Sequence, residues 1–255
     1  MKKDIRREFT ICSNAAIGRD TYLMRLCGDT EGLERPGQFV NVCLPDKYLR
    51  RPISVCDYTD GELLLMYKVV GEGTAEMERM KEGEKVQLLL PLGNGFDTSA
   101  SGPKPLLLGG GIGVAPLYGL ARQLVAEGKE PTVVVGFNTG EEAFFLEQFG
   151  EICRTEIATL DGSKPGHWPK PAVAGYVTDA VRALGLEGSY FYACGPMPMM
   201  RAVAQGLELD GQLSLEARMG CGFGACMCCS LQARDGAKRI CKEGPVFRKE
   251  ELLWT

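Results

Sequence analysis

The chain has 255 residues, 45% of them hydrophobic, and carries 29 basic against 33 acidic side chains for a formal charge of −4. That length suffices for two ordinary domains, and weak acidity without a basic run gives no electrostatic case for nucleic acid or an anionic membrane as partner. No apolar run approaches the roughly 20 residues that span a bilayer, and the basic start from Met1 to Glu8 lacks a signal peptide's apolar stretch, so a cytoplasmic protein with no membrane association is expected.

Residues 1–100 read as β structure. Short runs rich in β-branched, aromatic or aliphatic residues cover 7–12, 21–26, 38–44, 53–57, 63–70 and 85–90. Turn residues separate them, among them Gly28-Asp29, Pro45-Asp46 and Asp60-Gly61. Six short strands at this spacing predict a small antiparallel barrel. One helix interrupts them at 74–80, with Thr74 as its expected N-cap.

After the linker-like Ser99-Ala100-Ser101-Gly102-Pro103 the pattern changes. Across 101–209 apolar strands (105–108, 132–136, 156–160, 190–193) alternate with helices (115–126, 141–148, 177–184, 197–206). That alternation predicts a doubly wound parallel sheet. Residues 164–174, with three prolines, His167 and Trp168, read as a surface loop without chemistry. His167 is the only histidine, so imidazole base catalysis is not expected to be the main chemistry. Residues 210–255 are glycine- and cysteine-rich with little core of their own, so a small C-terminal domain folded by a metal centre is expected.

Of the eleven cysteines, five crowd into the last stretch. Cys12, Cys27, Cys43, Cys56 and Cys153 lie scattered beside apolar residues and read as small buried hydrophobes. Cys221, Cys226 and Cys229 stand at C-x4-C-x2-C spacing, with Cys241 following. That is the plant-type ligand pattern of a [2Fe-2S] cluster. The rival is zinc, which favours two well-separated C-x2-4-C units. Cys228 adjoins Cys229, and the x2 spacing leaves it as a spare thiol that should point away from the irons.

Gly109-Gly110-Gly111-Ile112-Gly113-Val114-Ala115-Pro116 follows the first parallel strand and opens a helix. Glycines there allow a dinucleotide to approach the backbone, and the helix start offers free N–H groups to phosphate. Gly110, Gly111 and Gly113 are therefore candidate nucleotide contacts, although Pro116 stands where a third fingerprint glycine would be. Glu141 and Glu142, after the second parallel strand and without a nearby arginine, lean toward NAD over NADP.

Arg51-Pro52-Ile53-Ser54 at a barrel strand resembles the flavin motif of the ferredoxin reductase superfamily. The resemblance implies that Arg51 pairs with the FAD pyrophosphate, a charge-assisted contact, and that Ser54 sits near flavin N5. Pro52 and Ile53 complete that motif, with Ile53 replacing the usual stacking tyrosine. Lys68, Val69 and Val70 resemble the family's flavin-contacting strand end, and Gly73-Thr74 its pyrophosphate-holding helix start. Asp161 falls in a segment resembling one near the nicotinamide dinucleotide. Cys194-Gly195-Pro196 resembles the family's segment beside the nicotinamide, where hydride passes to flavin; the alternative is a buried cysteine before a helix start.

Taken in order, these segments resemble the electron-transfer subunits of NAD-dependent dihydroorotate dehydrogenases over nearly the whole chain. That resemblance implies FAD, a [2Fe-2S] cluster and NAD as cofactors. It also implies a hetero-oligomer, two of each chain, with an FMN-containing catalytic subunit that oxidises dihydroorotate in pyrimidine biosynthesis. The same three segments also occur in flavin subunits of sulfite reductases, hydrogenases and bifurcating ferredoxin–NADP reductases. A non-catalytic redox sensor or zinc-stabilised adaptor is the alternative of another class.

Overall fold

The computed structural model describes residues 5–45, 47–166 and 168–254, so Asp46 and His167 lie outside the described residues. The first six strands are β1 (Ile5–Gly18), β2 (Thr21–Cys27), β3 (Phe39–Cys43), β4 (Arg51–Thr59), β5 (Glu62–Lys68) and β6 (Lys85–Leu92). They close into a barrel in the order β1-β2-β5-β4-β3-β6 with antiparallel pairing throughout. Closure leaves no sheet edge exposed. Side-chain alternation explains the sequence pattern: on β3, Val40 and Val42 join the barrel interior with Phe9, Leu65 and Leu88. Phe39 on the same strand belongs instead to the core under the C-terminal segment.

Helix α1 (Glu72–Arg79) lies between β5 and β6. Thr74 is not its N-cap. The helix begins two residues earlier, with Gly71 at the cap, and Thr74 reaches back to it. The Thr74 hydroxyl accepts from the N–H groups of Val70 (2.9 Å) and Gly71 (3.3 Å), satisfying donors that the first turn leaves free.

The second sheet runs β10-β9-β8-β7-β11-β12-β15. Its parallel strands are β7 (Pro105–Gly110), β8 (Thr132–Phe137), β9 (Arg154–Thr159), β10 (Val173–Ala174), β11 (Tyr190–Cys194) and β12 (Gly211–Ser214). Strand β15 (Val246–Arg248) adds an antiparallel edge on β12. Helices α2 (Ala115–Ala126), α3 (Leu146–Gly150), α4 (Val177–Ala183) and α5 (Met197–Gly206) connect these strands. The chain lays β8 and β9 on one side of β7 and then returns to place β11 on the other. The order therefore reverses between β7 and β11, where such folds bind ligands. The cysteine-rich segment carries a hairpin, β13 (Ser230–Ala233) with β14 (Gly236–Arg239), and shares the larger sheet through β12 and β15.

Three further expectations are corrected. The helix expected at 141–148 is a short 3-10 turn, Gly140–Glu142, followed by α3, because Phe145 adopts a left-handed conformation with φ 64° while Phe144 and Phe145 are buried. The 164–174 segment is anchored rather than a free surface loop: Trp168 is 6% exposed and packs in the same core as Phe149, and β10 pairs with β9. Cys12 and Cys27 are not separate buried thiols. Cys27 on β2 stands opposite Thr10, Cys12 occupies the β1 bulge between Ile11 and Ser13, and the two form a disulfide with Cα atoms 6.1 Å apart. Cys56 is buried as expected, whereas Cys43 and Cys153 are half-buried.

The barrel and the nucleotide fold share one core, in which Cys56 and Met66 of the barrel meet Leu117 and Leu120 of α2. An ion pair between Arg122 and the largely buried Asp57 ties α2 to β4.

Candidate functional site

A cleft of about 1020 Å³ opens between the barrel and the parallel sheet. Its barrel wall carries Arg51, Pro52, Ile53, Ser54, Lys68, Val70 and Thr74, and its sheet wall Gly110, Gly111, Gly113, Cys194, Gly195 and Pro196. The fold thus gathers segments up to 145 residues apart in sequence onto one cavity, its two walls meeting where the strand order reverses. Val69, Gly73 and Asp161 do not line it. Val69 packs against the barrel core. Asp161 sits in an exposed turn, accepting from Ser163 N at 2.9 Å and Ser163 Oγ at 2.6 Å. Gly73 lies behind Arg51: a Cβ there would fall 1.8 Å from Arg51 Nε.

Each wall has a physical reason for its residues. Arg51 opens β4 and donates to the Leu49 carbonyl, which holds the guanidinium beside the start of α1. A cation next to free helix-start N–H groups is a natural phosphate cradle. On the sheet wall, Gly111 has φ +53° and open space around a would-be Cβ, so backbone there is approachable from the cleft. Gly113 serves closeness instead, because a Cβ would sit 2.4 Å from the Cys194 carbonyl oxygen. Gly113 thus lets the turn after β7 pack directly against the end of β11.

Cys194 pairs in register with Ser214 on β12. Burial pushes its thiol up to about 12, the Glu216 charge adds to that, and a hydrogen bond with Ser214 opposes it. The thiol is therefore neutral at physiological pH. Ser214, Glu216 and Met219 also line the cleft and escaped the sequence reading, because nothing local marks β12 as the strand beside Cys194. Phe39 and Tyr67 line it too, on strands that read only as barrel.

The cysteine centre lies beside this cleft. Its sulfurs form two pairs. In one, Cys221 Sγ accepts from the N–H groups of Ala225 (3.2 Å) and Cys226 (3.5 Å), while Cys226 Sγ accepts from Cys221 N (3.4 Å). In the other, Cys229 Sγ accepts from Cys241 N at 3.4 Å. Burial opposes a thiolate at Cys221, yet the converging N–H groups of Cys226, Phe223 and Ala225 outweigh it and pull the thiol down to about 6. Burial pushes Cys241 up to about 12, with Cys229 adding to the effect, so metal uptake there must release a proton. Cys228 is exposed and its thiol turns to the Arg218 carbonyl at 3.6 Å.

Two sulfur pairs suit two irons, two thiolates each. A single zinc would need four ligands around one point, most often as two well-separated C-x2-4-C units. Gly222, at φ +81°, lets the loop wrap inward.

Barrel, nucleotide fold and cysteine centre together define a flavin- and nicotinamide-dependent oxidoreductase of ferredoxin reductase-like fold with an iron–sulfur domain. Its cofactors are FAD, NAD and a [2Fe-2S] cluster. Comparison with known proteins narrows the class. Residues 216–253 match the iron-sulfur cluster binding domain of dihydroorotate dehydrogenase B, and residues 107–205 match the oxidoreductase NAD-binding domain. The electron transfer subunit of dihydroorotate dehydrogenase B (NAD(+)) from Bacillus caldolyticus is 41% identical over 97% of this chain and 98% of its own. That from Fusobacterium nucleatum subsp. nucleatum is 38% identical over 95% and 96%. Among solved structures, an NADH-dependent reduced ferredoxin–NADP oxidoreductase, studied for flavin-based electron bifurcation, superposes with a TM-score of 0.85 at 29% identity, over 96% of this chain and 90% of that one.

The chain belongs to the dihydroorotate dehydrogenase B electron transfer subunits. Membership makes it an oxidoreductase subunit that works with a catalytic partner subunit. No helix among the described residues is long and apolar enough to cross a membrane.

Proposed function

We propose that this chain takes electrons one at a time from an FMN-containing partner that oxidises dihydroorotate to orotate, and delivers them in pairs, as hydride, to NAD+. The observation that supports this reading is a juxtaposition: residues 51–54 and the Cys194-Gly195-Pro196 turn line one cleft, and Cys229 and Cys241 share a core with Phe39, which also lines it. FAD supplies the conversion between one-electron and two-electron chemistry; the protein supplies binding and placement.

In this reading the Arg51 guanidinium and the start of α1 bind the FAD pyrophosphate, with Gly73 leaving room for the guanidinium and Thr74 fixing the helix start. Pro52 and Ile53 flank the ring, Lys68, Val69 and Val70 form its strand-end support, and Ser54 offers a hydroxyl to N5. Gly110, Gly111 and Gly113 receive the NAD pyrophosphate, with Asp161 at the edge of that site. Cys194, with Gly195 and Pro196 on the cleft wall, would hold the nicotinamide, and its neutral thiol would add no charge to that wall. Cys221 and Cys226 hold one iron, and Cys229 and Cys241 the other. Glu142, on the cleft wall after β8, accepts from Asn138 Nδ2 at 2.8 Å and favours NAD over NADP by repelling a 2′-phosphate.

The assembly we propose is a cytoplasmic hetero-oligomer with two copies of each chain. Isolation of the native complex tests the reading. Recovery of an FMN-containing subunit with dihydroorotate-dependent NAD+ reduction supports it. Recovery of a hydrogenase, sirohaem or bifurcating ferredoxin–NADP reductase subunit overturns it, and so does a colourless chain containing zinc.

A further inference from the structure

Strand β3 joins the flavin barrel to the cysteine loop. Its even-numbered residues Val40 and Val42 fill the barrel. Its odd-numbered residues point the other way: Phe39 packs in the core that holds Cys229 and Cys241, and Asn41 faces the loop of Cys221. Asn41 is 1% exposed, and its Nδ2 donates to the Cys221 carbonyl at 3.3 Å across 180 residues of sequence. Its backbone stands opposite Pro52 of the flavin motif, and that of Phe39 opposite Ser54. The loop is shaped to receive the amide, because a Cβ on Gly222 would lie 2.0 Å from Asn41 Nδ2. Asn41 Oδ1 is buried and has no hydrogen-bond partner among the described residues.

A lone asparagine in an otherwise apolar strand interior is a poor choice for stability alone, since burying an unpaired amide oxygen is unfavourable. Its side chain is the polar bond from this strand to a cluster-ligand residue, and its strand neighbour carries the flavin motif. We propose that Asn41 is a positioning residue for electron exchange between FAD and the iron–sulfur cluster, clamping the Cys221 loop to the flavin strand. The inference rests on the proposed relay. The step it serves is the exchange of one electron between cluster and flavin, toward the flavin in the proposed direction. When NADH has reduced the flavin, the electron passes from flavin to cluster, which oxidises the flavin by one electron and turns one ferric iron ferrous.

The test uses the reconstituted full chain with Asn41→Asp and Asn41→Leu. Both nearly preserve side-chain size, and both remove the donor to Cys221. NADH is mixed anaerobically while flavin absorbance and the cluster's EPR signal are followed separately. Expected are flavin content and flavin reduction within about twofold of wild type, cluster reduction slowed about tenfold or more, and an altered EPR line shape. Faster hydrogen exchange at the amides of 221–226 should accompany it. If either variant loses its cluster, the other decides. If both lose it while FAD content and flavin reduction stay normal, the clamp is supported. Cluster reduction at the wild-type rate with an unchanged EPR signal overturns the proposal, as does an equal loss of FAD binding, flavin reduction and thermal stability. A wild-type chain whose cluster NADH never reduces would instead refute the relay itself.

Discussion

Gly113 offers the sharpest perturbation of the nicotinamide wall. In Gly113→Ala the new Cβ would lie 2.4 Å from the Cys194 carbonyl oxygen and 2.6 Å from both the Cys194 carbonyl carbon and Gly195 Cα. Ordinary contact begins near 3.4 Å, so the end of β11 must retreat by about 1 Å. No flexible side chain can absorb this, because every clashing atom is backbone and β11 is hydrogen-bonded to β7 on one side and β12 on the other. A shift of about 1 Å at a hydride-transfer geometry costs on the order of 10²-fold in rate, or about 2.7 kcal/mol of barrier. Gly111→Ala is the control. Its Cβ would meet nothing within 4 Å and would project toward the cleft from a backbone at φ +53°. It should cost about 1–2 kcal/mol of local strain and raise the KM for NADH while leaving the limiting rate nearly intact. Anaerobic stopped-flow reduction of the flavin by NADH separates the two effects. A Gly113→Ala chain with a limiting rate within about threefold of wild type would refute this account of the β7–β11 junction.

Further predictions concern the flavin wall, the cluster and pH. Gly73→Ala drives a methyl group into Arg51, so FAD affinity should fall about 10–100-fold, read by flavin fluorescence on titration, while circular dichroism shows the barrel intact. Cys226→Ser should abolish electron delivery to one-electron acceptors that draw on the cluster. NADH oxidation by an artificial acceptor of flavin electrons should continue, and loss of both with flavin bound contradicts the assigned order. Because burial raises the Cys194 thiol to about 12, the folded chain keeps that proton while the unfolded chain loses it near pH 9. The resulting stability is present in full below pH 9 and declines as pH rises from 9 toward 12. Flavin reduction by NADH should accordingly show no thiol ionisation between pH 6 and 9, and a rate step in that range that vanishes in Cys194→Ala would contradict the neutral thiol.

What the sequence revealed, and what it hid, follows from where each constraint resides. Cluster ligands are legible because the spacing of Cys221, Cys226 and Cys229 reflects local geometry around the irons. The glycines after β7 are legible because a strand–turn–helix is a local event. Asn41 and Ser214 were not legible: one is an asparagine in an apolar strand, the other a serine between Leu213 and Leu215, and each acquires its role only when a distant strand arrives beside it. Trp168 misled for a related reason. Its proline-rich setting reads as loop, yet the indole fills the core against Phe149 and thereby anchors the loop. The 141–148 helix failed at Phe145, where burying two successive aromatics outweighed the helical pattern and forced a positive φ. Thr74 was correctly marked as a helix-start residue but placed at the wrong position, since a threonine can serve as cap or as the residue that reaches back to one. The Cys12–Cys27 bond was hidden because strand register across a bulge cannot be read from cysteine spacing.

The central claim is that hydride from NADH and single electrons from the cluster meet at one flavin held by this chain. Anaerobic titration of the isolated, fully loaded chain with NADH tests it most directly, with flavin absorbance and the low-temperature EPR of the reduced cluster recorded at each addition. The account predicts that the flavin bleaches and that the cluster then develops the signal of a reduced [2Fe-2S] centre, with no partner subunit present. A fully bleached flavin beside a cluster that stays oxidised, although dithionite can reduce it and its potential lies within reach of NADH, would contradict the account.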